Sequence, residues 1–449
     1  MLKINIPNNF LPERKYIISI IFGEFLGLKY KVELKNINNY KINFDNKRLI
    51  IKDSFFSNFE DGVNYLNNKN IPKKIEFVEN QFIVEKNIPI IYGVNELKIN
   101  ENEIICGIDI FASSFFMLTR WEEYANEIRD IHNRFPGTAS LADKNNFLSR
   151  PIVNEYLEML WNMLKFLGIN QKRKEKKFKL VLTHDVDNLY KWKSWKQIFR
   201  ITGGDVLKRR NLNLALRRIR KYEKIRQGKI KDPYDTFDYL MDKSESIGIK
   251  SRFYFMSGGV TKYDNNYKID EKKCIELIKE IRKRGHIIGF HGSYVSYNNP
   301  QQWGEEKEIL ERVCQGEVNE GRQHFLRLKV PTTWQIWEDN NMQIDSTCGY
   351  ADKEGFRCGT GDEFSVFNIL SRKKLNLKER PLIIMEGTLG NPNYRGLSSN
   401  DFLKVSNYYI KITKRYNSKI TLLWHNSFFD EETWIGWKEI YNEIIRLLS

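Results

Sequence analysis

Three apolar runs in this chain each stop on ionisable side chains: KLVLTHDVD (179–187), HIIGFHGSY (286–294) and KITLLWHNS (419–427). Short apolar, β-prone runs bounded by polar clusters read as buried strands. Helical patterns lie between them. One covers Tyr234–Ile247. The next follows Asp270, carries Cys274, Leu277, Ile278 and Ile281 at helical spacing, and ends at Gly285. Others cover Gly304–Arg312 and Asn400–Tyr416. Further strands are predicted at 251–256, near Leu326–Val330 and Met342–Asp345, and over PLIIMEGTL (381–389). Such alternation predicts an α/β fold with a parallel sheet or barrel. The carboxyl ends of parallel strands gather on one face. His184, His291 and His425, three of only six histidines, are therefore expected to converge from distant parts of the chain.

The first strand tip carries the densest chemistry. Side chains alternate along a strand. Thr183, Asp185 and Asp187 would share one face, with His184 and Val186 on the other. Two carboxylates so close repel unless a cation or a proton lies between them. On the tetrapeptide alone, a capping Asp and a turn is an equal reading. Carboxylate with imidazole suits zinc and other divalent ions. Arg322 and Asp345 offer ion-pair partners for a general base or acid. His286 and His324 read as hydrogen-bonded structural groups, and His132 as exposed.

At 449 residues the chain is long enough for two or three domains. Its first part mixes short strands (Tyr30–Leu34, Arg48–Lys52, Phe82–Val84, Ile104–Gly107) with helices at Ala112–Ala125 and Val153–Leu167. The polar run GINQKRKEKK (168–177) reads as a linker. This divides the chain into a smaller α+β domain, 1–168, and a larger one, 178–449. The N-terminus, MLKINIPNNF, lacks the basic and apolar regions of a signal peptide. The apolar stretch 16–28 is short and broken by Glu24. Five scattered cysteines without a close pair suit a reducing, cytoplasmic setting and argue against a cysteine zinc site.

Of the formal charge of +16, most lies in one segment: residues 191–231 hold fifteen bases against two acids, Asp205 and Glu223. Such a block is a solvated helix face, a flexible arm, or a surface for anionic lipid, phosphate or nucleic acid. Trp192, Trp195, Ile198 and Phe199 give it an amphipathic start. No helix-turn-helix, zinc finger or single-strand platform accompanies it, which makes nucleic acid the weakest of these partners.

Taken in order, THDVD, RGHIIGFHGSY, an Arg322-bearing segment, DSTCGYADKEGFRCGT and LLWHNS resemble the five motifs of the polysaccharide deacetylase (NodB-type carbohydrate esterase) family. They look most like a bacterial branch with H-D-V-D as its first motif and G-x-H-x-S-Y as its second. Residues 1–165, with YGVNE (92–96) and FMLTRWEEY (116–124), resemble the domain that precedes the deacetylase there. The resemblance implies a distorted (β/α) barrel, one divalent metal (zinc for preference), and removal of an N-acetyl or O-acetyl group from a sugar. Carried over by motif, Asp185 is the base, Asp187 and His291 are metal ligands, and His425 is the acid. Arg322 and Asp345 would orient the base and the acid. It further implies an acetylated saccharide of surface-polysaccharide biosynthesis; the phosphate that the 191–231 cations could meet suits a lipid-linked or nucleotide-linked one, handled in the cytoplasm or at the inner membrane face.

The chain departs from the family pattern at three points. Val186 separates the two aspartates and Asn188 follows them. The proline after the third-motif arginine is missing. Val295 stands where the second metal histidine belongs. Either His184 fills that place, or Ser293, Tyr294 or water does, or metal binding is lost. The alternative to a deacetylase is a catalytically silent member that binds glycan or scaffolds an assembly at a membrane.

Overall fold

The computed structural model describes residues 1–448, and the three apolar runs are central strands of one nine-stranded sheet. Across the sheet the strands run Phe364–Asn368, Lys373–Glu379, Ile344–Asp345, Glu320–Gln323, Ile287–Gly292, Arg252–Phe255, Lys179–Val186, Lys419–Leu423 and Ile384–Met385. All neighbours are parallel except Phe364–Asn368, which runs antiparallel to Lys373–Glu379 at the edge. The sheet curls into a half-barrel, and one stretch of chain crosses its open side. The Arg380 amide bonds the Asp345 carbonyl (2.7 Å), and the Ile383 amide bonds the Thr421 carbonyl (3.2 Å). Residues 380–383 thus carry the chain from one limb of the sheet to the other.

Residues 2–108 build a second, six-stranded mixed sheet, flanked by helices Leu11–Ile18, Ile110–Thr119 and Ile152–Phe166. Both sheets share one apolar core. Tyr16 and Phe115 pack on Phe367. Buried Glu123 accepts hydrogen bonds from Arg120 and Arg357, which joins the two parts electrostatically. The polar run 168–177 has no regular structure but is pinned down: the Lys174 amide bonds Leu26 O, and Gln171 bonds the Lys29 backbone both ways.

Several elements differ from the sequence reading. Phe82–Val84 is a turn, and Leu326–Val330 is not a strand. The strand there is the polar EGRQ, residues 320–323. It is buried because its charges are met: Glu320 by Arg252 and Arg380, Arg322 by Asp185. Gly321 lets it approach its neighbour, since a Cβ there would lie 1.9 Å from the Phe290 carbonyl oxygen. The predicted strand 381–389 yields only Ile384–Met385 before the chain turns into a helix at Glu386.

The basic segment is a pair of helices, Trp195–Leu207 and Leu212–Arg226. A small core of Trp192, Ile198 and Tyr222 joins them. Its acid partners come partly from far along the chain. Lys191 pairs with Asp430 (2.7 Å) and Glu432 (2.9 Å), Lys221 with Glu432, and Arg218 with Glu432 and the buried Asp205. The five cysteines are buried and free. No helix among the described residues is long and apolar enough to cross a membrane.

Candidate active site

The strand tips do converge. Asp187 follows the Lys179–Val186 strand, His291 lies near the end of Ile287–Gly292, and His324 lies one residue past Glu320–Gln323. His291 Nε2 and His324 Nδ1 are 3.0 Å apart, and Asp187 Oδ1 lies 3.2 and 3.3 Å from them. The other nitrogen of each ring faces a carbonyl: His291 Nδ1 donates to Arg322 O (2.8 Å) and His324 Nε2 to Tyr263 O (2.9 Å). Carbonyls only accept, so both ring protons point away and two lone pairs face each other beside a carboxylate. Asp187 Oδ1 is buried and, among the described residues, has no hydrogen-bond donor.

Three electron-pair donors turned toward one another fit a cation. A tetrahedral ion with bonds of about 2.0–2.1 Å needs ligand separations of roughly 3.3 Å, close to what is found. The carbonyls fix ring orientation in the manner of metal sites generally. Burial opposes the charge on Asp187, but His324, His291 and His425 outweigh it and hold the carboxyl well below its usual range. Burial likewise opposes protonation of His324, and adjacent Asp187 reverses this and raises it.

His184 is not part of this set, which corrects the sequence reading. It points to the other face of its strand, as alternation requires. It is fully buried against Phe253, with Nδ1 on Trp424 O (2.7 Å) and Nε2 on Ser251 Oγ (3.2 Å). Burial pushes it down to about 4, so it stays neutral. His324, one residue past the next strand, stands beside Asp187 and His291 instead.

Beside the donor set lies Asp185, almost fully buried. Arg322 Nη1 donates to its Oδ1 (2.8 Å) and to Thr183 Oγ1 (3.0 Å). The rest of the guanidinium is fixed on the Ser346 carbonyl and hydroxyl. Asp185 Oδ2, free of Arg322, lies 3.8 Å from His291 Nε2.

Opposite stands His425. Its backbone amide donates to Glu386 Oε1 (2.9 Å), and its ring Nδ1 bonds the same oxygen. Nε2 turns toward Asp187 Oδ2 at 3.5 Å. Burial disfavours the imidazolium, but Glu386, Asp187 and Asp185 outweigh it and raise His425 to about 10. Asp345 does not orient this histidine, a second correction. Its Oδ1 is bonded by the amide (3.0 Å) and hydroxyl of Thr347, in a strand beside that of Arg322. Burial pushes it up to about 6. Glu386 holds His425 instead.

These groups open into a cleft of about 280 Å³ walled by Phe325, Met385, Tyr394 and Phe428. Arg134, from the N-terminal part, also lines it, bonded to Asp130, Phe325 O and Tyr394 Oη. His132 is half-buried rather than exposed and packs on Phe325, whose φ of 59° is left-handed. Such strain concentrates at functional sites.

His324, Glu386 and Arg134 were missed from sequence. Two signals were available. His324 follows Arg322 by two residues and so continues the same strand face. Glu386 is a lone acid inside an apolar run. Nothing near Arg134 in sequence pointed to the cleft.

Residues 2–168 match a family model described as a family of unknown function, DUF7033. No curated protein matches the chain. Among solved structures, the chain is similar to a candidate polysaccharide deacetylase from Mycobacterium smegmatis, at 13% identity over 61% of this chain and 84% of that one, with a TM-score of 0.39. It is similar to the catalytic domain of a peptidoglycan N-acetylglucosamine deacetylase from Eubacterium rectale ATCC 33656 (13% identity, 62% and 88% covered, TM-score 0.27). It is also similar to a CE4-family pseudoenzyme from Bacillus anthracis (11% identity, 61% and 66% covered, TM-score 0.28). Identities this low, with TM-scores under 0.5, leave the chemistry to the side chains of this chain.

Proposed function

We propose that this protein is a divalent-metal-dependent hydrolase that removes an acetyl group from a saccharide, N-acetyl in preference to O-acetyl. One observation carries the proposal: Asp187, His291 and His324 turn three electron-pair donors onto one point, between a carboxylate fixed by Arg322 and an imidazole fixed by Glu386. A divalent ion held by those three residues would supply an acidified water and a Lewis acid for the developing oxyanion, and the nitrogen–oxygen donor set suits zinc.

The chain's own residues supply the rest. Arg322 occupies one oxygen of Asp185, which leaves the other to take a proton from the attacking water. Glu386 holds His425 charged, with Nε2 as the proton source. As the water oxygen joins the acetyl carbon and the carbon–nitrogen bond breaks, His425 protonates the departing nitrogen, giving acetate and an amine. An amide nitrogen cannot leave without that proton, whereas an ester oxygen needs it less, so a strongly held acid favours N-acetyl. Aromatic walls at Phe325, Tyr394 and Phe428 suit the apolar faces of a sugar ring.

The same proposal takes the substrate to be lipid-linked or nucleotide-linked, in surface-polysaccharide biosynthesis in the cytoplasm or at its membrane face. The cations between residues 191 and 231 and the free cysteines support it. A silent glycan binder would need neither Arg322 on Asp185 nor Glu386 on His425.

The test is acetate release by zinc-loaded protein from N-acetylglucosamine oligomers and from an O-acetylated counterpart. Release from the first, lost in Asp185→Asn with zinc still bound, supports the proposal. Retained zinc and glycan binding with no acetate from either would establish the silent reading.

A further inference from the structure

The helical pair within 191–231 has already buried one face against itself, through Trp192, Ile198 and Tyr222 with Ile201, Ile219 and Ile225 around them. Its exposed side chains nonetheless include large apolar ones. Trp195, Phe199, Val206, Leu207, Leu212 and Leu216 are all exposed, with Leu207 at 82%, Leu212 at 61% and Phe199 at 60%. Scattered exposed apolar residues are ordinary, but a cluster on one small element is not. Trp195 and Phe199 stack with ring centroids 5.7 Å apart, one turn apart on the helix. Leu207 and Leu212 flank the connection between the helices, around Lys208, Arg209 and Arg210.

Cations surround these side chains. Lys191, Arg209, Arg218, Lys221 and Lys231 pair with carboxylates. The other ten bases of the segment, among them Lys196, Arg200, Arg210, Arg217 and Arg220, are exposed and, among the described residues, lie within ion-pair distance of no carboxylate. Aromatic and aliphatic side chains interleaved with unpaired Lys and Arg have the composition of an element that lies in the interface of an anionic bilayer. Nucleic acid would match the cations but leave the aliphatic tip at Leu207 and Leu212 without a use.

We propose that this helical pair docks the protein on an anionic lipid surface, with Phe199, Leu207 and Leu212 entering the interface and the free cations meeting headgroup phosphates. The salt bridges of Lys191, Arg218 and Lys221 to Asp430 and Glu432 fasten it to the loop that follows Ser427 and Phe428 at the cleft. Docking would therefore hold the cleft close to the membrane. This inference does not depend on the catalytic proposal.

The experiment is co-sedimentation of the full chain with vesicles of phosphatidylcholine alone and with added phosphatidylglycerol, at low and physiological salt. The native protein is expected to bind the anionic vesicles, more weakly as salt rises, and to ignore the neutral ones. A triple variant, Phe199→Ser with Leu207→Ser and Leu212→Ser, should lose roughly tenfold or more in affinity. Arg217→Gln with Arg220→Gln and Lys224→Gln should lose a similar factor, since each cation near an anionic surface contributes about fivefold at most. Circular dichroism reports folding, and the charge variant, confined to exposed side chains, carries the test if the apolar variant loses helix. Equal binding by native and charge-variant proteins, no binding of native protein to anionic vesicles, or single-stranded DNA displacing the vesicles completely would overturn the proposal.

Discussion

Replacing His324 by Ala separates the structural account from its rival most sharply, because the sequence offered His184 for the same role. The donor atoms of Asp187, His291 and His324 are 3.0–3.3 Å apart. A tetrahedral ion requires about 3.3 Å, so it can enter with shifts of only a few tenths of an ångström. Losing an outer partner of a metal ligand typically costs 10- to 100-fold in affinity. Losing one of three protein donors should cost more than about 100-fold, or roughly 2.7 kcal/mol. His184→Gln, in contrast, disturbs contacts to Trp424 O, Ser251 and Phe253, none of them in the donor set. It should lower stability and leave zinc affinity unchanged. Calorimetric titration of chelator-stripped protein with zinc reads both. Native-like affinity in His324→Ala, or its loss in a folded His184→Gln, would refute the reasoning.

Other substitutions probe the surrounding machinery. Glu386→Gln should lower acetate release about 10²- to 10⁴-fold, the usual contribution of one positioned acid, with zinc still bound; unchanged turnover would remove Glu386 from the account. Glu123 accepts from Arg120 (2.8 Å) and Arg357 (2.9 and 2.5 Å); burial opposes its charge, but these two hold it down to about 2. Its folded value lies below its unfolded one near 4.5, so it stabilises above that value and the contribution fades as pH falls from about 4.5 to 2. Glu123→Gln should therefore cost about 3–5 kcal/mol at neutral pH in urea unfolding, since it strands the buried Arg357 guanidinium and leaves Arg120 with Glu122 alone; a cost near zero would contradict the pairing. Gly321→Ala should destabilise by about 1–3 kcal/mol or more, because its Cβ would collide with the Phe290 carbonyl; a melting temperature equal to the native one would show that the strands can part there.

The strands that ended on THDVD, GFHGSY and LLWHNS were legible because each has an apolar body long enough to reveal its period. Their convergence then followed from parallel topology alone. The strand Glu320–Gln323 was hidden because its burial rests on ion pairs to Arg252, Arg380 and Asp185, distant in sequence, and not on apolar side chains. Missing that strand displaced His324 from the site and left His184 as its substitute, although alternation had already put His184 on the opposite face. The partner of His425 was misread for a similar reason. The apolar run before Glu386 suggests a long strand, while the chain bends into a helix where the half-barrel is bridged. The basic segment was read as poor in acids because only local ones were counted; Asp430 and Glu432 arrive from some two hundred residues away.

The central claim is that Asp187, His291 and His324 hold one divalent ion beside Asp185. Anomalous diffraction at the zinc edge from zinc-loaded crystals tests it directly. A single strong peak is expected, bonded to Asp187 Oδ1, His291 Nε2 and His324 Nδ1 at about 2.0–2.2 Å, with Asp185 still on Arg322. A peak coordinated by His184, or native protein that binds no zinc at this site, would contradict it.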